Sequence, residues 1–296
     1  MVYNNLSQLD FSLQDLPQMP QPTRVLMTTP AHFDVQYVIN PYMEGNIGNI
    51  DTNEAHAQWQ ALADTFDGIG LHVHTIGGAE NQPDMVFCAN QTLPFLRPDG
   101  SKGVILSNMH AEQRKKEVPH YQQFFALQGY ETLALPQHLN TDFEGMGDAL
   151  WHPNRRLIWG GHGFRTDTKV YDFVSEVTGA PVIALALHDP HFYHLDTCMS
   201  VLDEKTVLIE PKAFQPEGLA LIHHVFERVI EAPSDEAINF FAVNAHCPDG
   251  KHVVIQRGCT ETCAQLEAAG FTTIEVETTE FLKSGGSVFC MKMMYW

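Results

Sequence analysis

Apolar positions along the chain fall into short runs separated by polar stretches, and their period changes from run to run. Arg24-Val25-Leu26-Met27-Thr28 reads as a first strand, ending at the turn Thr29-Pro30. Ala55, Trp59, Leu62 and Ala63 recur near helical spacing and predict a helix over 53–66. Residues 71–76 alternate between apolar and polar and predict a strand. Met85-Val86-Phe87 reads as the next strand, followed by an irregular Asn90-Gln91-Thr92 and another strand over 103–106. A polar segment through Arg114 and Glu117 leads to a helix over 121–128 and a short run at 131–135. Further on, the pattern predicts a strand over 156–159, a backbone-rich turn at Gly160-Gly161-His162-Gly163-Phe164-Arg165, a helix over 169–177 and a buried strand over 181–187. Beyond His194 come a strand over 206–209, a helix over 219–229, and a strand pair at 238–243 and 252–256. A helix over 260–269 and a final long strand over 271–276 complete the pattern.

Short strands thus alternate with single helices, and no Ser/Gly tract or charge block divides the chain. That predicts one α/β domain over 1–296, with 1–22 as a polar N-terminal extension. The order strand-strand-helix-strand recurs about five times, as a repeat of structure rather than of sequence. The competing arrangement is a doubly wound Rossmann sheet. No Gly-x-Gly-x-x-Gly follows the first strand, and no Gly-x4-Gly-Lys-Ser/Thr occurs anywhere.

Composition narrows the function classes. Hydrophobic residues make up 44% of 296, enough for one large core or two modest ones. The 36 acidic residues outnumber 17 basic ones, for a formal charge of -19, which disfavours nucleic acid and anionic membranes and attracts a small cation. No apolar run reaches the ~18 residues needed to span a bilayer. The start of the chain has neither the basic nor the apolar part of a signal peptide. Six scattered cysteines read as free thiols of a cytoplasmic protein rather than a disulfide framework. Cys259-x3-Cys263 has no second close pair and reads as two positions near a helix start rather than as metal ligands.

Three stretches carry candidate chemistry. Cys290 follows a polar turn with paired glycines, Ser284-Gly285-Gly286-Ser287. His194-Leu195-Asp196-Thr197 sets a histidine beside a carboxylate, and Phe143-Glu144-Gly145-Met146-Gly147-Asp148 holds two carboxylates in glycine-rich backbone. A Cys, a His and a Glu far apart in sequence suit nucleophilic catalysis by a thiolate. Each also has a plain structural reading: Cys290 as a core thiol, His194 as a core histidine, Glu144 and Asp148 as turn formers. Asp84 and Asn90, six apart at the ends of the apolar run 85–89, would face one side of a regular strand or cap its two ends.

Taken together, several motifs resemble the superfamily of arginine deiminases, dimethylargininases and amidinotransferases, particularly its arginine dihydrolase domains. They are Pro30-Ala31-His32-Phe33-Asp34-Val35, Tyr37-Val38-Ile39-Asn40-Pro41-Tyr42-Met43, Pro83-Asp84-Met85-Val86-Phe87, the loop 144–148, Tyr193-His194-Leu195-Asp196-Thr197-Cys198, Val243-Asn244, and Glu280-Phe281-Leu282-Lys283 leading to Cys290. The resemblance implies an α/β fold of the pentein type, a five-bladed α/β-propeller of strand-strand-helix-strand blades around an axial pocket. It implies Cys290 as nucleophile, His194 as acid/base and Glu144 as the carboxylate that binds guanidinium nitrogens and tunes the histidine. Asp84, Asp148 and Asp196 become substrate-side carboxylates, and Arg114 and Arg165 clamps for an amino-acid carboxylate. No cofactor or metal is expected: His188, His191 and His194 lack matching thiolate or carboxylate spacing.

Within that superfamily, the resemblance makes Asp196 typical of enzymes acting on unmodified guanidines. Asn90 stands where deiminases carry an aspartate and dihydrolases an asparagine. Gln91-Thr92 and Asn108 depart from the dihydrolase pattern. The expected activity is hydrolysis of free arginine to ornithine, two ammonia and carbon dioxide. The alternatives are a deiminase giving citrulline, a hydrolase of dimethylarginine or another small guanidino compound, and a non-catalytic arginine-binding protein.

Overall fold

A computed structural model describes residues 1–296. Five small sheets surround an axis, each built on two parallel strands joined by a helix. Arg24–Thr28 pairs with His72–Ile76 across the helix Thr52–Gly68, and Lys102–Leu106 with Glu131–Leu133 across Val118–Leu127. Ile158–His162 pairs with Val182–Ala186 across Val170–Thr178, and Thr206–Ile209 with Arg228–Glu231 across Pro216–Val225. His252–Gln256 pairs with Thr272–Val276 across Thr260–Ala268.

Four of these pairs gain an antiparallel strand on the first member: Met293–Tyr295, Thr92–Leu96, Ala149–Trp151 and Met199–Val201. In the fifth, a single antiparallel bridge between His246 and Val254 takes that place. The molecule is a five-bladed α/β-propeller. Its first blade is completed by the C-terminal strand, so the ring closes by main-chain bonds between the two ends of the chain. The extension contributes Val2–Tyr3, which adds parallel to Val182 and Ile183.

Local chemistry accounts for the elements. Asp51 caps the helix Thr52–Gly68 by accepting from the N–H groups of Asn53 and Glu54, and Ala55, Trp59, Leu62, Ala63 and Phe66 form its buried face. Pro216 opens the helix Pro216–Val225, where a missing N–H costs nothing. Buried apolar residues from all five blades merge into one contiguous cluster of 79, so the blades share a single core.

Several expected boundaries change. Pro83–Val86 is a 3-10 helix, not a strand; every residue in it is buried, so no alternation existed to read. The predicted helix over 219–229 ends at Val225, because the chain must extend to form Arg228–Glu231. Residues 238–243 are not a strand: Ser234–Asn239 is helical, and Phe241 turns the chain at φ +52. Gly160 to His162 continue a strand. Thr92–Leu96 and Met293–Tyr295 were not predicted, because fully buried edge strands this short lack a period.

Candidate active site

Five connectors carry the chain from the last strand of one blade to the first antiparallel strand or bridge of the next. Each presents chemistry just before that strand begins. Asp84 and Asn90 precede Thr92, Glu144 and Asp148 precede Ala149, His194 and Asp196 precede Met199, Asn244 precedes His246, and Cys290 precedes Met293. A repeat that looks unremarkable in sequence therefore brings five distant segments to one place.

Cys290, His194, Asp84, Asn90, Arg114 and Arg165 line one cavity with Tyr193 and Ser284. Its volume is about 20 Å³, room for roughly one water and not for an amino acid, so a larger ligand requires outward movement of the residues around it.

Cys290 is 3% exposed. Its Sγ donates to Asp196 Oδ2 at 3.2 Å and accepts from Asn244 Nδ2 at 3.2 Å. Burial, followed by the Asp196 charge, pushes the thiol well above its ordinary range. Asp196 is itself pushed up to about 7 by burial, against the stabilising thiol bond and the Lys292 charge. One of its oxygens, Oδ1, has no partner.

His194 Nε2 lies 2.6 Å from Glu144 Oε2, leaving Nδ1 as the ring nitrogen available for proton transfer. Glu144 Oε1 accepts from the His110 N–H at 3.0 Å, and Arg165 approaches Oε2 at 3.4 Å. Burial pushes the Glu144 carboxyl up by disfavouring its charged form, but Arg165 and His194 outweigh it and hold the carboxyl well below its usual range. A side chain at Gly147 would place Cβ 2.2 Å from Asn90 Nδ2 and 3.4 Å from His194 Cδ2. Gly285 turns the chain at φ +85 against Tyr193 and Asn40, a conformation that glycine alone adopts without strain.

Asp84 is buried and accepts from Tyr37 Oη at 2.7 Å and Ser284 Oγ at 3.0 Å. Burial pushes its carboxyl above the usual range by disfavouring the charged form, opposed by Arg114 and those two hydroxyls. Asn90 Oδ1 accepts from Arg114 Nη1 at 3.0 Å, while its Nδ2 is buried without a partner. Since arginine can only donate, the amide oxygen must face Arg114 and the NH2 must face away from it.

Arg114 departs from the expected clamp. Its guanidinium is committed to Glu117 at 3.0–3.2 Å, to Asn90, and to the carbonyls of Asp84 and Phe87. Arg165 lies over the Tyr193 ring and donates to the Ile39 carbonyl at 2.7 Å. Asp148 does not line the cavity; its Oδ1 receives the Leu195 N–H at 3.0 Å, which anchors the segment carrying His194.

Asn244 was not singled out for a role by sequence reasoning. Its Oδ1 accepts from the backbone N–H groups of Ser287, Phe289 and Cys290, and its Nδ2 donates to Cys290 Sγ and the Asp196 carbonyl. The available signal was the motif Val243-Asn244, which carried part of the resemblance without a role. No group of three or more His, Cys, Asp or Glu side chains is arranged to hold a metal ion. No helix is long and apolar enough to cross a membrane.

A family model described as N,N dimethylarginine dimethylhydrolase, eukaryotic, matches residues 38–295. The chain belongs to the guanidine-modifying superfamily. It is 34% identical over 278 residues to the bifunctional arginine dihydrolase/ornithine cyclodeaminase ArgZ of Synechocystis, covering 93% of this chain but 38% of that protein. It is 36% identical over 271 residues to the N(G),N(G)-dimethylarginine dimethylaminohydrolase of Mycobacterium tuberculosis, covering 92% of this chain and 85% of that one. The crystal structure of the ArgZ N-terminal domain, as a cysteine-to-serine mutant bound to substrate, superposes with a TM-score of 0.84 at 34% identity, covering 92% of this chain and 97% of that one. An asparagine-to-serine variant of that domain, covalently bound to a reaction intermediate, superposes equally well at 34% identity and 92% and 97% coverage.

Proposed function

We propose that this guanidine-modifying protein hydrolyses free arginine to ornithine, two ammonia and carbon dioxide. A guanidinium is a planar cation with donors along every edge, and Asp84, Glu144 and Asp196 match its charge and geometry. Its arrival supplies the positive charge that the Cys290–Asp196 pair needs to ionise. Cys290 attacks the central carbon, His194 protonates departing ammonia and then activates water, and Glu144 holds the imidazole in place. Arg165 remains the candidate partner for the amino-acid carboxylate, and Arg114 and Asp148 act as supports. The dihydrolase named among the relatives, and its substrate-bound structure, support the arginine assignment.

The observation that carries the two-step reading is the orientation of Asn90. Its acceptor is used by Arg114, so it offers a bound ligand only a donor. Against a guanidinium N–H that contact is donor to donor. Against the oxygen of the ureido group formed by the first hydrolysis it is complementary, so the neutral intermediate is retained for a second attack. Product analysis of guanidine-labelled arginine tests it: ornithine with about two ammonia per arginine is expected. Persistent, stoichiometric citrulline would make the protein a deiminase. The same assay with dimethylarginine tests the second reading, which the family model and the Mycobacterium relative favour.

The shared core and ring closure support reading 1–296 as one catalytic domain, with 1–22 as its extension. Six free, buried cysteines support a cytoplasmic location.

A further inference from the structure

Lys292 lies two residues beyond the nucleophile and is fully buried, yet its Nζ has no hydrogen-bond partner. The ammonium sits 3.2 Å from the centroid of the Phe289 ring, a contact that favours the charged form. With His246 it lines a second cavity, of about 60 Å³, which Cys290 does not line.

Four titratable groups face it: Asp196, Cys88, Cys290 and His246. Cys88 donates its thiol to the Leu26 carbonyl at 3.2 Å, and burial pushes it up to about 12, so it stays neutral. Burial, then the Lys292 charge, drives His246 well below its ordinary range, so it is neutral too. The anion left for Lys292 to balance is the Asp196–Cys290 pair, joined at 3.2 Å and flanked by Asn244, with Tyr193 and the Arg114 charge nearby. Asp196 Oδ1, like Lys292 Nζ, is buried without a partner.

We infer that Lys292 is a positioning residue for the nucleophile: its buried ammonium balances the single negative charge shared by Asp196 and Cys290, and so sustains the thiolate when the bound ligand carries no charge. This rests on the two-step reading. Arginine brings its own cation to the first attack. The ureido intermediate is neutral, and the second attack has only the resident cation.

In that step the thiol proton passes to Asp196, and Sγ bonds to the ureido carbon. The bond from that carbon to the ornithine nitrogen breaks, and His194 gives the departing amine its proton. Water then loses a proton to His194 and cleaves the C–S bond, restoring the thiolate and releasing carbamic acid, which falls to ammonia and carbon dioxide. Burial holds Lys292 down to about 7 against the upward pull of Asp196, Cys88 and Cys290, so its charge is coupled to that of the pair.

The test compares wild type with Lys292→Met, similar in volume and uncharged. Lys292→Gln serves if the methionine variant does not fold, and Lys292→Arg is the conservative rescue. The pH midpoint of thiolate absorbance in the substrate-free enzyme, taken as a difference against Cys290→Ser, should shift upward by roughly one to two pH units, as for loss of a nearby buried unit charge. Citrulline turnover should fall about tenfold more than arginine consumption, and citrulline should accumulate from arginine. Lys292→Arg should recover part of both effects. An unshifted thiolate midpoint overturns the inference, as does an equal loss on the two substrates. If wild type releases citrulline and does not consume it, the dihydrolase reading fails; the substrate-free midpoint then still decides whether Lys292 balances the pair.

Discussion

Replacing Asn244 by alanine removes a side chain that ties the turn carrying Cys290 to the neighbouring connectors. In the native fold its amide oxygen receives three backbone N–H groups at 3.1–3.3 Å, and its NH2 serves Cys290 Sγ and the Asp196 carbonyl. Phe289 keeps a second acceptor, the Asn244 backbone carbonyl at 2.9 Å. The N–H groups of Ser287 and Cys290 and the Asp196 carbonyl each lose this partner within the buried turn. At about 1–1.5 kcal/mol for each of these three groups, the variant should lose about 3–4.5 kcal/mol of stability. For a chain of this length that lowers the melting temperature by roughly 6–10 °C. Activity should fall further than stability explains, because the thiolate loses a donor and its aim.

Asn244→Asp separates the two effects. The carboxylate still accepts the three N–H groups but leaves the Asp196 carbonyl without its donor, so the variant should melt below wild type yet above Asn244→Ala. It adds a negative charge beside Asp196 and Cys290, and should therefore be nearly inactive. The assays are thermal denaturation and kcat/KM for arginine at one pH. If Asn244→Ala melts and turns over like wild type, the turn is organised by its own backbone, and the reasoning is refuted.

Asn90→Asp should form a charge-assisted bond to Arg114 and present an acceptor in place of a donor, so citrulline persists and ammonia falls from about two to about one per arginine; unchanged ornithine yield at an unchanged rate would show that Asn90 does not govern the second step. Cys290→Ser should bind arginine more tightly than citrulline in calorimetric titration, and equal affinities would count against recognition by Asp84, Glu144 and Asp196. His152 should produce acid instability. Burial holds it down to about 4, with Nδ1 accepting from the Trp159 indole N–H and Nε2 meeting the Glu204 carbonyl, so folding favours its neutral form. That contribution is complete above the unfolded value of ~6.5 and is lost as pH falls towards 4, about 3 kcal/mol in all. Denaturant titrations of wild type and His152→Gln across this window should show a shallower acid decline for the variant; parallel declines would exclude His152 as a source.

The sequence by itself determined the periodic elements: the helix around Trp59 and Leu62, the strand Arg24–Thr28, and the recurring strand-strand-helix-strand order. Those signals are local, since an amphipathic face or an alternating strand shows its period within one window. It also singled out Cys290, His194 and Glu144 as residue types suited to a nucleophile, a proton carrier and a counter-charge, the roles proposed for them. The short segment Pro83–Val86 was misread because all of it is buried and no period exists, and residues 238–243 because their apolar run spans a helix end and a turn, with Phe240 exposed. Partners were not legible at all. Arg114 looked free to clamp a ligand until Glu117 and Asn90 were found on its guanidinium, and Asn244 and Lys292 gained their meaning only beside Cys290. Whether a charge is available or already balanced depends on which distant groups share its dry environment, and ring closure by Met293–Tyr295 decides that for the nucleophile.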